Sequence, residues 1–112
     1  MANDKALATG IPELMVLGLL RDREMYGYEI VQAIALKSGQ VVTPGEGLVY
    51  PLLHSLEKDG ALKSRRKTVA GRSRVYYSLT ARGLKRLTKL RQDWSALNHV
   101  VETVLGAKAH AV

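Results

Sequence analysis

The chain has 112 residues, 46% of them hydrophobic, which is enough for one domain with a real core. Seventeen Lys and Arg against ten Asp and Glu give a net charge of +7, so a polyanionic partner is expected, nucleic acid first and an anionic membrane second. The lack of cysteine excludes disulfides and thiolate-bound zinc and fits a reducing cytoplasm, and no apolar run reaches the roughly 18 residues that span a bilayer.

Residues 1–8 are expected to be flexible, and they carry no charged stretch leading into an apolar core, so no secretion signal is read there. Thr9-Gly10-Ile11-Pro12-Glu13 reads as a helix start, with a cap candidate, an early proline and an acid in the first turn. The following residues, from Ile11 through Leu14, Met15, Val16, Leu17, Leu19 and Leu20, are apolar almost all round. Such a helix should be buried on more than one side, and in so small a domain the second cover would be a partner subunit. Arg21 to Glu24 is a polar break. Met25-Tyr26-Gly27-Tyr28-Glu29 opens a second helix to about Lys37, with Tyr28, Val31, Ile34 and Ala35 as its inner stripe. Ser38-Gly39-Gln40 ends it, and Val41 to Glu46, which contains Pro44-Gly45, is a connection.

The next helix has two unlike faces. Val49, Leu52, Leu53 and Leu56 fall at helical spacing as an apolar stripe, while Gly47, Tyr50, Pro51, His54 and Lys58 fall outside it. Pro51 suits a position near the helix start, and Gly60 suits a left-handed stop. Small, aromatic and hydrogen-bonding groups opposite a buried stripe suit a DNA major groove, although a solvated face would carry similar residues. With the preceding helix and connection, the pattern is a helix-turn-helix.

After Gly60 the period changes to that of strands. Leu62 to Val69, a turn at Ala70-Gly71-Arg72-Ser73, and Val75-Tyr76-Tyr77-Ser78-Leu79 predict a β-hairpin, with Val75, Tyr77 and Leu79 on one face. Lys63, Arg65, Arg66, Lys67, Arg72 and Arg74 load it with cations, and no acid lies between Lys63 and Arg74. A hairpin charged in this way suits a phosphate backbone or the minor groove. A charged edge against aggregation would be served as well by mixed signs. Thr80 is an N-cap candidate for a last helix over 81–105, with Leu79 and Leu84 as a hydrophobic staple. Within it Leu87, Leu90, Trp94, Leu97, Val101 and Val104 step by three and four, a heptad seam that reads as a dimerisation helix. Residues 106–112 read as a flexible tail.

No catalytic constellation is found, and no enzyme activity is expected. His54, His99 and His110 do not sit at metal-ligand spacing with carboxylates, Gly45-Glu46-Gly47 is too short for a phosphate loop, and no metal or cofactor is expected.

Three blocks occur in a specific order: Tyr26-Gly27-Tyr28-Glu29-Ile30, the segment Gly47 to Gly60 with its G-x-x-Y-P start, and Gly71-Arg72-Ser73-Arg74-Val75-Tyr76-Tyr77-Ser78-Leu79-Thr80. Together they resemble the PadR family of bacterial transcriptional regulators, in its compact form with a single helix after the hairpin. The resemblance covers about residues 11–97. It implies a winged helix-turn-helix domain over 1–80, a dimerisation helix over 81–105, and a homodimeric repressor on a palindromic operator, released by a small aromatic or lipophilic ligand. By position, Tyr50, Pro51 and His54 would lie on the recognition helix, Gly47 would allow close approach to phosphate, and Arg72 and Arg74 would be wing contacts. Trp94 stands where some compact members place a tryptophan facing the dimer cavity and stacking on flat ligands, and the seam alone explains it as a core residue without one. Two other readings remain: a non-specific architectural DNA binder, carried by the basic hairpin, and a small-molecule-binding dimer with weak DNA contacts. A membrane-surface role ranks last, because no apolar insertion face adjoins the hairpin.

Overall fold

The computed structural model describes the backbone of residues 2–106 and the side chains of residues 10–106. The elements run α1 (Ala2–Leu20), β1 (Met25–Tyr26), α2 (Gly27–Lys37), α3 (Glu46–Lys58), β2 (Leu62–Val69), β3 (Arg72–Leu79) and α4 (Ala81–Val104). This is the mainly α chain with a hairpin that the sequence predicts. It departs from expectation in three places. Helix α1 begins at Ala2, before the expected start near Thr9, and holds Pro12 inside it. Three of residues 2–8 are alanine, the best helix former, and the proline removes only one ladder N–H. Met25 and Tyr26 form a short strand of their own, so the sheet has three strands. Helix α2 therefore starts at Gly27 and buries Gly27, Ile30 and Ile34, leaving Tyr28 48% exposed outside the stripe assigned to it. From residue 107 onward the expected tail, with His110, lies outside the described residues.

The sheet order is β1-β3-β2, antiparallel throughout. Leu62 pairs with Leu79 and Val69 with Arg72, leaving Ala70-Gly71 as a two-residue turn. Both turn residues are left-handed, with φ of 53° and 77°, the geometry of a type I′ hairpin. On the inner face Leu62, Tyr77 and Met25 join one core with Val16, Leu17 and Leu20 of α1, Ile30 and Ile34 of α2, and Val49, Leu53 and Leu56 of α3.

One junction fastens α3, the hairpin and α4. The Thr80 hydroxyl accepts the Gly83 N–H at 3.0 Å, which caps α4, and donates to the Gly60 carbonyl at 2.6 Å. The Thr80 N–H donates to the Ala61 carbonyl at 3.1 Å. Gly83 packs so closely that a Cβ there would lie 2.0 Å from the Ala61 oxygen. One turn further on, Arg86 forks onto Glu13 at 2.6 and 3.1 Å and reaches Asp59 at 3.5 Å, which ties α4 to α1 and to the end of α3.

Helix α4 thus packs on the chain's own core at its start and leaves it at its end. Leu87 is only 2% exposed and belongs to the chain's own core, and Leu90 packs against that core. Neither leads a free dimer seam as expected, because α1 already covers this part of α4. Beyond them Trp94, Val100, Val101, Val104 and Leu105 are exposed, between 43% and 79%. The molecule measures 56 × 28 × 24 Å.

Ala70 pays a left-handed penalty that Asn tolerates better at this turn position. Ala70→Asn is expected to stabilise the fold by about 1 kcal/mol. A higher urea midpoint at unchanged slope checks this.

Candidate nucleic-acid interface

On α3 the residues Gly47, Pro51, His54 and Lys58 follow the spacing i, i+4, i+7 and i+11, and all four are exposed. The buried Val49, Leu53 and Leu56 lie on the opposite side. Pro51 is the sixth residue of the helix rather than a first-turn residue. Its ring nitrogen carries no hydrogen, so the Gly47 carbonyl loses its i+4 donor on the exposed face. With no side chain at Gly47, this patch of backbone can approach a flat or charged surface closely.

Tyr50 departs from the expected outer face. It is half-buried and packs over Gly27, where a Cβ would lie 2.4 Å from its ring. Two of the sequence blocks noted above are therefore one contact: the glycine that opens α2 exists to seat the tyrosine of α3. Tyr77 lies beneath, its hydroxyl pushed up from its ordinary pKa by burial first and then by Glu57 and Tyr50. Ser64 at the start of the hairpin donates to the Glu57 carboxylate, so the last turn of α3 sets where β2 departs.

The six hairpin cations do not behave alike. The strand register puts Lys63, Arg65, Lys67, Arg72 and Arg74 on the outer face of the sheet, with Lys67 directly opposite Arg74. Like charges so placed repel. Two things offset this. Glu24, from the α1–β1 connection, accepts from Arg65 at 2.7 and 3.0 Å and from Lys67 at 2.6 Å. The rings of Tyr76 and Tyr26 then carry Lys67 and Arg74, each cation 4.3 Å from a ring centre, with the two rings edge-on at 5.4 Å. Hydrogen bonds from Arg65 first, then Lys67, hold the Glu24 carboxyl down at about 2. Lys63, Arg66 and Arg72 are exposed, and among the described residues no carboxylate lies within ion-pair distance of them. Sequence reasoning missed Glu24; the signal for it was the acid-free hairpin itself, whose facing cations require a counter-charge from elsewhere in the chain.

A cavity of about 410 Å³ opens between α1 and α4, lined by Leu14, Gly18, Leu87, Arg91, Trp94 and Asn98. Trp94 thus borders a cavity rather than sitting in a sealed core. Among the described residues there is no group of acids and histidines that could hold a metal, and no helix is long and apolar enough to cross a membrane.

The Gly27–Tyr50 contact predicts coupling. Gly27→Ala should destabilise by about 1–3 kcal/mol through overpacking, and most of that cost should vanish in a Tyr50→Ala background. A double-mutant cycle of urea unfolding measures it. The Glu24 clamp predicts an acid signature. Its folded pKa lies below its ordinary 4.5, so the stability it adds is present in full above about 4.5 and is lost as pH falls toward 2. The difference in melting temperature between the wild type and Glu24→Gln should be flat above that window and close within it.

Comparison with known proteins covers these same elements. The model of the Transcriptional regulator PadR-like family matches residues 16–89. The chain is 37% identical over 97 residues to Transcriptional regulator Rv3488 of Mycobacterium tuberculosis, across 87% of this chain and 85% of that protein. A transcriptional regulator from Clostridium thermocellum superposes with a TM-score of 0.80 at 28% identity, over 87% of this chain and 92% of the other. Bacillus subtilis PadR in complex with operator DNA superposes with a TM-score of 0.63 at 28% identity, over 75% of this chain and 46% of that one, so this chain spans about half its length. The chain belongs to the PadR-like family of transcriptional regulators.

Proposed function

We propose that this regulator acts in the cytoplasm as a homodimeric repressor on a palindromic operator, and that a small aromatic or lipophilic ligand releases it. The observation that carries the DNA reading is the exposed stripe of Gly47, Pro51, His54 and Lys58 on a helix whose last turn is bonded to a basic hairpin. In this reading α3 enters the major groove, with His54 reaching base edges and Lys58 the backbone. Lys63, Arg66 and Arg72 meet flanking phosphates. Arg65 and Arg74 contribute less than their sequence positions imply, because Glu24 and the Tyr26 ring already engage them. Tyr50 serves as the support of α3 rather than as a contact. The Bacillus subtilis neighbour carries operator DNA, which supports this role for the shared fold.

Dimerisation is supported by the end of α4. Trp94, Val101 and Val104 stand exposed at seam positions, with Leu97 half-buried among them, and monomeric proteins seldom leave such a stripe open. The effector reading rests on the cavity beside Trp94, whose 410 Å³ falls in the range of small-molecule sites. The indole offers a stacking face, and Arg91 and Asn98 offer polar contacts.

The test compares a palindromic duplex with a random one at matched salt. The palindrome should bind more tightly by a factor on the order of 10³ or more. Arg72→Ala should weaken both and lower the salt slope by about 0.9, whereas His54→Ala should mainly erode the ratio. Val101→Asp should yield a folded monomer by sedimentation and cost the palindrome a factor on the order of 10². Equal binding of both duplexes would leave an architectural DNA binder.

A further inference from the structure

The Glu24 clamp offsets repulsion among the wing cations, but the stability it adds is modest. Its partners Arg65 and Lys67 keep 65% and 34% of their side-chain surface exposed, and ion pairs so open to water contribute weakly. Its geometry is that of a different task. A single anion takes a two-pronged hydrogen bond from an arginine and a third from a lysine, at 2.6 to 3.0 Å. That is the way a DNA phosphate would be held by the same two side chains. The carboxylate comes from outside the hairpin, from the connection that feeds β1, and β1 is paired to the hairpin only at Met25 and Tyr26. It therefore sits beside the wing without being part of it.

We propose that Glu24 is a built-in surrogate for phosphate, which occupies Arg65 and Lys67 and so withholds both from the DNA. Sequence-independent affinity and its salt dependence rise with each phosphate neutralised. An internal anion lowers both at every site, cognate or not. The contacts of α3 to bases are untouched by it, so the ratio of operator to random binding stays the same while the protein is held less tightly, and with less salt dependence, on any duplex. This inference rests on the DNA reading proposed above.

The experiment measures affinity for a random duplex against salt, for the wild type and Glu24→Gln, with melting curves to confirm that both are folded. Glu24→Gln should bind random DNA several-fold more tightly at low salt and steepen the slope of log K against log salt by about 1 to 2, the equivalent of one or two added phosphate contacts. The palindrome should gain by the same factor, because the added phosphate contacts are common to both duplexes. In an Arg65→Gln, Lys67→Gln background the same substitution should change neither slope nor affinity, which a merely structural role for Glu24 would not produce. A folded Glu24→Gln protein with an unchanged slope, or with weaker binding, overturns the inference while leaving the DNA reading intact. A wild-type protein that binds no duplex at low salt overturns the DNA reading itself.

Discussion

The close approach of Gly83 to the Ala61 carbonyl is the constraint on which the arrangement depends. Any side chain at position 83 would lift the start of α4 off the turn that follows α3. With the contact made, the Thr80 hydroxyl can cap α4 and bond the Gly60 carbonyl at once. The turn out of α3, the end of the hairpin and the first turn of α4 thereby meet at one point. Arg86 extends the same junction to α1 and to Asp59. The directions of α3, wing and α4 are not three independent variables. A change in the angle of α4 against α1 carries α3 with it, and the cavity beside Trp94 lies between α1 and α4. In the proposed mechanism, this is how a ligand there would alter the spacing of two recognition helices.

The sheet has an apolar face and a charged one, and the second decides what the wing can do. Three antiparallel strands put Met25, Leu62 and Tyr77 against the helices, and give the opposite side to cations and two tyrosine rings. Lys67 and Arg74 face each other there, which only a nearby anion and π-faces make tolerable. The charge count of the hairpin is thus larger than the charge it has to offer a partner. Net charge remains a sound guide to the class of partner. It is a poor guide to the number of contacts, because pairing inside the fold is invisible to it.

Patterns that repeat along the chain were legible in the sequence. The stripe of α3 at Val49, Leu53 and Leu56 (Leu52, also expected there, is half-buried), the cap at Thr80, the hairpin, whose expected turn over 70–73 narrows to Ala70-Gly71, and the heptad steps of α4 all follow from local periodicity and capping chemistry. Contacts between distant residues were not. Tyr50 looked like an outward aromatic because a helical wheel puts it at the edge of the stripe; only the glycine 23 positions earlier, which has no periodicity to announce it, turns the ring inward. Strand β1 is two residues long, too short for any alternation to show. Leu87 continues the heptad of Leu90 and Trp94 without a break, so nothing local marks where α4 leaves its own core.

That unbroken seam has a physical consequence. At 1.5 Å per residue, α4 is about 36 Å long, more than the body of the domain can cover. Its first turns meet α1, with Leu87 buried beside Leu14 and Gly18 and Arg86 on Glu13, while Val100, Val101, Val104 and Leu105 stand in water. Trp94 lies at the changeover, at once on the wall of the cavity and on the open stripe. A second copy seated on the stripe would therefore help to close the cavity, and a ligand filling the cavity would press on that second copy. In the proposed mechanism, sites that share a residue in this way are energetically coupled: whatever the ligand gains by binding one dimer geometry over another shifts the dimer toward that geometry, and DNA responds through its own preference between the two.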